Sequence, residues 1–120
     1  MSEGFQVTLP WPDKSLSPNA RVHYMVKARA VRKARDAAFW FTWEAQGGHR
    51  PGWPAAALDV TFCPPSRRRF DVDNAVSRCK ANFDGMSDAL GIDDARFVPT
   101  YRMGDPVKGG AVVVTVRRSA

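Results

Sequence analysis

The chain has 120 residues, enough for one domain that buries roughly two-thirds of its unfolded surface and too few for a second. A composition of 44% hydrophobic and 25% charged residues, with 9 Gly and 9 Pro, excludes a disordered, collagenous or fibrous chain. The net charge of +6 is unevenly spread: residues 71–94 hold six carboxylates against Arg78 and Lys80, a local −4 that leaves +10 on the remainder. That is the pattern of a polyanion binder with a cation site set into it, or of a basic protein carrying one solvated acidic helix.

In chain order, Phe5, Val7 and Leu9 alternate with Gln6 and Thr8, the period of a half-buried strand, and Pro10-Trp11-Pro12 stops it. Ser15 to Pro18 reads as a loop. From about Asn19 to Ala45 there is neither Gly nor Pro, and Val22, Met25, Val26, Arg29, Ala30, Lys33, Ala37, Trp40, Phe41 and Glu44 mark a helix with one apolar side, ended by Gly47-Gly48. Leu58, Val60 and Phe62 alternate with Asp59, Thr61 and Cys63 in a second strand closed by Pro64-Pro65. Asp73 is the expected N-cap of a helix running to Leu90, with Gly91 as its stop and Val76, Cys79, Phe83, Met86 and Leu90 as its buried stripe. Asp73, Ser77, Lys80 and Asp84 repeat at the same spacing on a polar face. Phe97, Tyr101 and Met103 alternate with Val98, Thr100 and Arg102, and 111–117 reads AVVVTVR; the turn between them predicts a hairpin.

The order β-α-β-α-β-β, without repeat or linker, predicts one small α+β (mixed α/β) domain over 1–120 with helices packed on one sheet. No stretch approaches the ~20 apolar residues of a membrane span, and the first 20 residues carry Glu3, Pro10, Pro12 and Asp13 where a signal peptide needs an apolar core. The expectation is a cytoplasmic protein without a membrane partner. Cys63 and Cys79 both fall in apolar-periodic segments, which favours buried reduced thiols over a disulfide.

Several chemistries drop out. His23 and His49 have no ligand-spaced partners, two Cys and two His make no zinc pattern, and neither Gly-Gly pair is followed by the Lys-Ser/Thr of a phosphate-binding loop. What remains is RRRFDVDN at 67–74, followed by Lys80, Asp84 and Asp93-Asp94. Asp71 and Asp73, two apart on an extended segment, would face one way and could share a hard cation such as Mg²⁺. Such a cation lowers the pKa of bound water for attack on phosphorus, so carboxylates beside basic residues point to metal-dependent phosphodiester hydrolysis. The competing roles are helix capping for Asp71 and Asp73 and a loop turn for Asp93-Asp94. Capping needs only one acid, and the adjacent Arg67, Arg68 and Arg69 favour the joint reading. Residues 21–35 carry six bases and no acid; Lys27, Arg29, Arg32 and Lys33 can join the arginine run in a phosphate-contacting track.

The opening FQVTLPWPDKSLSPNAR, the block RRRFDVDNAVSRCKANFDGMSDALGIDDARFV and the ending PVKGGAVVVTV are similar to the RusA family of Holliday-junction resolvases, over nearly the whole chain. The most specific part is D-x-D-N followed by a Lys, F/L-D and D-D. The resemblance implies a Mg²⁺- or Mn²⁺-dependent endonuclease, acting as a homodimer, that cuts four-way DNA junctions symmetrically. Carried over by position, Asp71, Asp73 and Asp94 would be the catalytic and metal-holding carboxylates and Lys80 the catalytic lysine. The family places its lysine four residues after the second Asp, where this chain has Ser77; Lys80 comes three later but keeps its distance to Phe83-Asp84. A three-residue lengthening of the helix start accounts for this, and Lys80 stays on the polar face because the two positions lie about 60° apart. The alternative for Lys80 is a solvated i,i+4 pair with Asp84. Competing functions are a nuclease for flaps or other branched DNA and a non-catalytic structural DNA-binding protein.

Helix length adds one expectation. Residues 74–90 as a single helix span about 25 Å, placing Asp71 and Asp73 at one end and Asp94 at the other. Residues 91–94 can return at most roughly 13 Å. The three carboxylates of one chain are then too far apart for one ion, and active sites shared between two subunits are expected.

Overall fold

The computed structural model describes residues 4–68 and 70–119. Strand β1 (Gly4–Pro10) is followed by α1 (Tyr24–Ala45), β2 (Ala55–Cys63), α2 (Val72–Arg78), α3 (Lys80–Leu90), β3 (Phe97–Met103) and β4 (Ala111–Ser119). Short 3-10 turns at Lys14–Leu16 and Asp94–Arg96 precede α1 and β3. The four strands form one mixed sheet in the order β1-β4-β2-β3, with β2 and β3 parallel and the other two pairings antiparallel. The domain is α+β, and the elements follow the order expected from the sequence.

The expected hairpin between the last two strands does not form. β3 pairs in parallel with β2, through the α2–α3 crossover that a parallel connection needs, and β4 returns between β1 and β2. Composition explains the choice. Val112, Val114 and Val116 are fully buried on a β-branched strand suited to the sheet centre, whereas Val98, Pro99 and Thr100 are exposed. Pro99 cannot donate to a ladder and so belongs on an edge. The connecting loop straps the end of β2, with Gly104 N–H donating to the Phe62 carbonyl at 2.8 Å and Val107 N–H to that of Pro64 at 3.0 Å.

One face of the sheet carries the core. Val7, Leu9, Leu58, Val60, Phe62 and the three β4 valines meet Met86 and Leu90 of α3, all at most 2% exposed. α3 in turn packs on α1, but not through the apolar side expected of α1: Val22, Met25, Val26, Trp40 and Phe41 are exposed, and Ala38 and Thr42 are the helix's buried residues. The reason lies in Gly85. A Cβ there would sit 2.2 Å from the Arg35 carbonyl oxygen and 3.1 Å from the Ala38 Cβ, so the helices approach closely over small residues, and larger ones on α1 must point elsewhere. α1 also begins later than the Asn19 start expected, at Tyr24, because the His23 ring nitrogen caps it by accepting from Met25 N–H at 3.2 Å. The single helix expected to Leu90 is broken at Cys79, whose φ of −93° and ψ of 6° leave the helical range. Both cysteines are free; Cys79 is buried, but Cys63 lies on the outer sheet side with Asp59 and Thr61 and is only half-buried.

Candidate active site

The start of α2 is fixed by aromatic and cationic contacts. Phe70 meets Trp11 edge-on at 5.1 Å between ring centroids, and the Arg78 guanidinium lies 5.5 Å from the Phe70 ring centre. Arg78, 8% exposed, donates to the Pro12 carbonyl at 2.8 Å. Asp71, not Asp73, is the N-cap: its Oδ1 accepts from Asp73 N–H at 3.1 Å. The two acids therefore do not share an extended segment. Asp71 is extended and folds back to cap, which places Asp73 inside the first helical turn. Both are exposed, and the Asp73 carboxylate has no hydrogen-bond or ion-pair partner among the described residues.

Asp94 reaches the same side of the molecule by a different route. Gly91, at φ 70°, stops α3 in the left-handed conformation, and Ser87 holds the reversal by accepting from Gly91 N–H at 2.9 Å and donating its hydroxyl to the Ile92 carbonyl at 2.6 Å. Ile92 is buried and anchors the returning chain. Asp93 caps the following turn through Ala95 N–H at 2.9 Å, and Asp94 faces Lys80. Lys80 Nζ lies 2.8 Å from Asp84 Oδ1 and 3.1 Å from Asp94 Oδ2.

This corrects the placement of Asp94 at the far end of the helix. The break at Cys79 leaves α3 at 11 residues. It rises about 16 Å, and a return of up to roughly 13 Å brings the chain back to its first turn. Asp71 and Asp73 stand at the start of α2, at the other end of that helix from the Cys79 break that precedes Lys80. Among the described residues no three His, Cys, Asp or Glu side chains gather closely enough to hold a metal ion.

Electrostatics assign Lys80 a charge state. The Asp84 and Asp94 carboxylates hold its ammonium above the usual lysine range, and Lys80 in return holds Asp94 below the usual carboxylate range. Lys80 is thus an ammonium at neutral pH and can donate a proton or stabilise an anion, but not accept a proton. Burial pushes the Cys79 thiol up to about 12, which excludes it as a nucleophile.

Beside this ion pair a cleft of about 470 Å³ opens between the α2–α3 ridge and edge strand β3; Ser77, Phe83, Phe97 and Tyr101 help line it. The basic residues lie outside it. Arg67, Arg68, Arg29, Arg32 and Lys33 are exposed and Lys27 half-buried, none in an ion pair with a described residue; Arg69 lies outside the described residues. The inter-helix contacts set Arg35 and Ala38 against Gly85 and pair Arg35 with Asp88 and Gln46 with Ala89. The two helices therefore run the same way, and the basic first half of α1 projects toward the α2 end.

The sequence reading named Asp94 and Lys80 as site residues and the i,i+4 pair of Lys80 with Asp84 as the alternative for Lys80; that pair forms, and Asp94 joins it. Ser77 and Tyr101 were missed as cleft residues. Alternation put Tyr101 on the inner face, yet only the parallel pairing of β3 with β2 brings it under α2 and α3. No family model matches the chain. It is 44% identical over 119 aligned positions to a protein of Xylella fastidiosa (strain Temecula1 / ATCC 700964) described as "Uncharacterized protein", the match covering 92% of this chain and 74% of the relative. The chain belongs to the same family as that Xylella fastidiosa protein.

Proposed function

We propose that this protein is a metal-dependent endodeoxyribonuclease that resolves four-way DNA junctions, as the resemblance to RusA resolvases implies. The observation that carries the reading is the Lys80 ammonium, held between Asp84 and Asp94 at the lip of a cleft, one short helix away from the uncommitted Asp73 carboxylate. The donor set suits Mg²⁺ or Mn²⁺: Asp71, Asp73 and Asp94 are exposed hard oxygen donors, and the neighbouring Asn74 Oδ1 is buried with no hydrogen-bond partner. Those three carboxylates would hold the ion, which when bound supplies an activated water and charge neutralisation at phosphorus.

The rest is work for the chain's own groups. Lys80, charged at working pH, stabilises the developing negative charge on the phosphate and can protonate the departing oxygen. Asp84 holds the ammonium in place. Arg67, Arg68, Arg69 and the α1 residues Lys27, Arg29, Arg32 and Lys33 contact flanking phosphates and orient the duplex arms without reading sequence.

Paired symmetric nicks call for two sites related by a two-fold axis, so the working form is a homodimer. We propose further that its sites are shared, with Asp71 and Asp73 of one subunit beside Asp94 of the other. Incubation with labelled four-way, flap and linear duplex DNA, with Mg²⁺ and with chelator, tests the activity. Paired nicks in junctions only with metal are expected. Preferential flap cutting would assign other branched DNA, and binding without cutting under any divalent metal would make the protein structural. Mixing Asp71→Asn with Asp94→Asn protein under subunit exchange tests the shared site: nicking should return in heterodimers, and silence from proven heterodimers places each site within one chain.

A further inference from the structure

We propose that the cleft between the α2–α3 ridge and β3 receives one nucleobase of the strand being cut, swung out of its stack beside the scissile phosphate. The inference rests on the nuclease reading and deepens it.

The cleft's volume of about 470 Å³ lies in the range that encloses a small organic molecule. Its walls are largely apolar and partly aromatic, formed by Phe97 and Tyr101 of β3 with Val76 of α2 and Phe83 of α3. The Tyr101 ring is held in place by Phe62 and Phe83, at 6.1 and 6.2 Å between centroids, so it offers a fixed flat surface. Two polar groups not used elsewhere converge on this apolar space: the Ser77 and Tyr101 hydroxyls have no hydrogen-bond partner among the described residues. Lys80 and Asp94, which act on the phosphate and the ion, line the same cleft and so place the scissile phosphate next to it.

Wall chemistry decides between a base and a second phosphate. Apart from Lys80 and Asp94, which serve the scissile phosphate and the metal ion, the lining is apolar and aromatic with two hydroxyls and offers a second phosphate no charge of its own. A nucleobase is neutral and flat and carries donors and acceptors on its edge, which complements unpaired hydroxyls beside an aromatic wall. Extruding a base costs least where its pairing is already interrupted.

The test uses four-way junctions in which single nucleotides flanking the cut are replaced, one at a time, by an abasic analogue. Cutting is measured with Mg²⁺ and binding in chelator. At one position the abasic substitution should lower kcat/KM by roughly 10- to 100-fold, the scale of one base stacked on an aromatic side chain. In Phe97→Ala, and in the volume-conserving Ser77→Ala/Tyr101→Phe double variant, intact and abasic junctions should be cut at more nearly equal rates. A wild-type enzyme that cuts every abasic junction as fast as the intact one overturns the base cleft and leaves the nuclease reading standing. Intact DNA neither cut nor bound overturns the nuclease reading and this inference with it. Phe97→Ala that abolishes dimerisation while keeping abasic discrimination would make the cleft a contact between copies, which also overturns the proposal.

Discussion

Beyond its packing on the sheet, helix α3 is flanked by α1 and by edge strand β3, and these two flanks differ in kind. Toward α1 it presents Gly85, and the helix axes close until the Arg35 backbone and Ala38 fill the space. Polar links also cross that contact: Arg35 Nε and Nη2 donate to Asp88 Oδ2 at 2.9 and 2.7 Å, and Gln46 donates to the Ala89 carbonyl at 2.8 Å, while Thr42 Oγ1, Gln46 Oε1 and Asn82 Oδ1 are buried without a partner among the described residues. Toward β3 the same helix presents Lys80 and Asp84, and the surfaces stay apart around an open cleft. Small residues let one side shut and charged ones hold the other open. The closed side therefore supplies stability, and the open side is left available for chemistry.

The largest effects should separate the two sides. Asp73→Asn and Asp94→Asn are each expected to lower kcat for junction cutting by roughly 10²- to 10³-fold, the scale of losing one preorganised electrostatic partner. Neither carboxylate supports the core, so the Tm should hold; a fall in Tm matching the fall in rate would make these acids structural. Gly85→Val does the reverse. Its side chain has nowhere to go between the helices, and overpacking of this kind costs about 3 kcal/mol. A urea midpoint indistinguishable from that of the unaltered protein would show that α1 and α3 are not in close contact.

The sheet-facing core was more legible in the sequence than either flank of α3, and on the closed flank the apolar side expected of α1 turned out exposed. Alternation in β1 and β2 and the 3-4 repeat of Cys79, Phe83, Met86 and Leu90 are local patterns, and each named its buried face correctly. Gly85 was not readable, because its reason for being glycine is the Arg35 backbone of another helix. The open side depends on long-range pairing throughout. AVVVTV signals a buried strand but not its neighbours, so the hairpin seemed natural where β4 in fact inserts between β1 and β2. The same blindness placed Asp94 at the end of a straight helix. Neither the break at Cys79 nor the return from Gly91 carries a periodic signal.

A smaller effect concerns the approach to the open side. Replacing Arg67, Arg68 and Arg69 together should weaken DNA binding and lower the slope of log K against log salt by about 0.9 for each phosphate that is no longer neutralised. Binding that is equally tight at low and high salt would remove the basic track from the account.

The smallest effect tests the ion pair itself. Lys80 lowers the pKa of Asp94, so this carboxylate favours the folded state above its ordinary titration range, and that contribution is lost as pH falls through its lowered folded value. The Lys80 pKa is raised by Asp84 first and Asp94 second, so its contribution is complete below the ordinary lysine range and is lost as pH rises through the raised folded value. Between about pH 5 and pH 9 both groups are charged, and the pair's contribution does not vary with pH. Lys80→Gln should therefore shift Tm slightly and by a constant amount across that window, with the difference shrinking in acid. In the same variant the Asp94 carboxyl carbon, followed by NMR, should titrate at higher pH than in the unaltered protein. An unmoved Asp94 midpoint would mean that the two side chains are not in contact in solution. The pair also governs the rate profile: a lysine held protonated gives no basic limb near neutrality, so any rise in cutting rate between about pH 6 and pH 8 must come from a group other than Lys80.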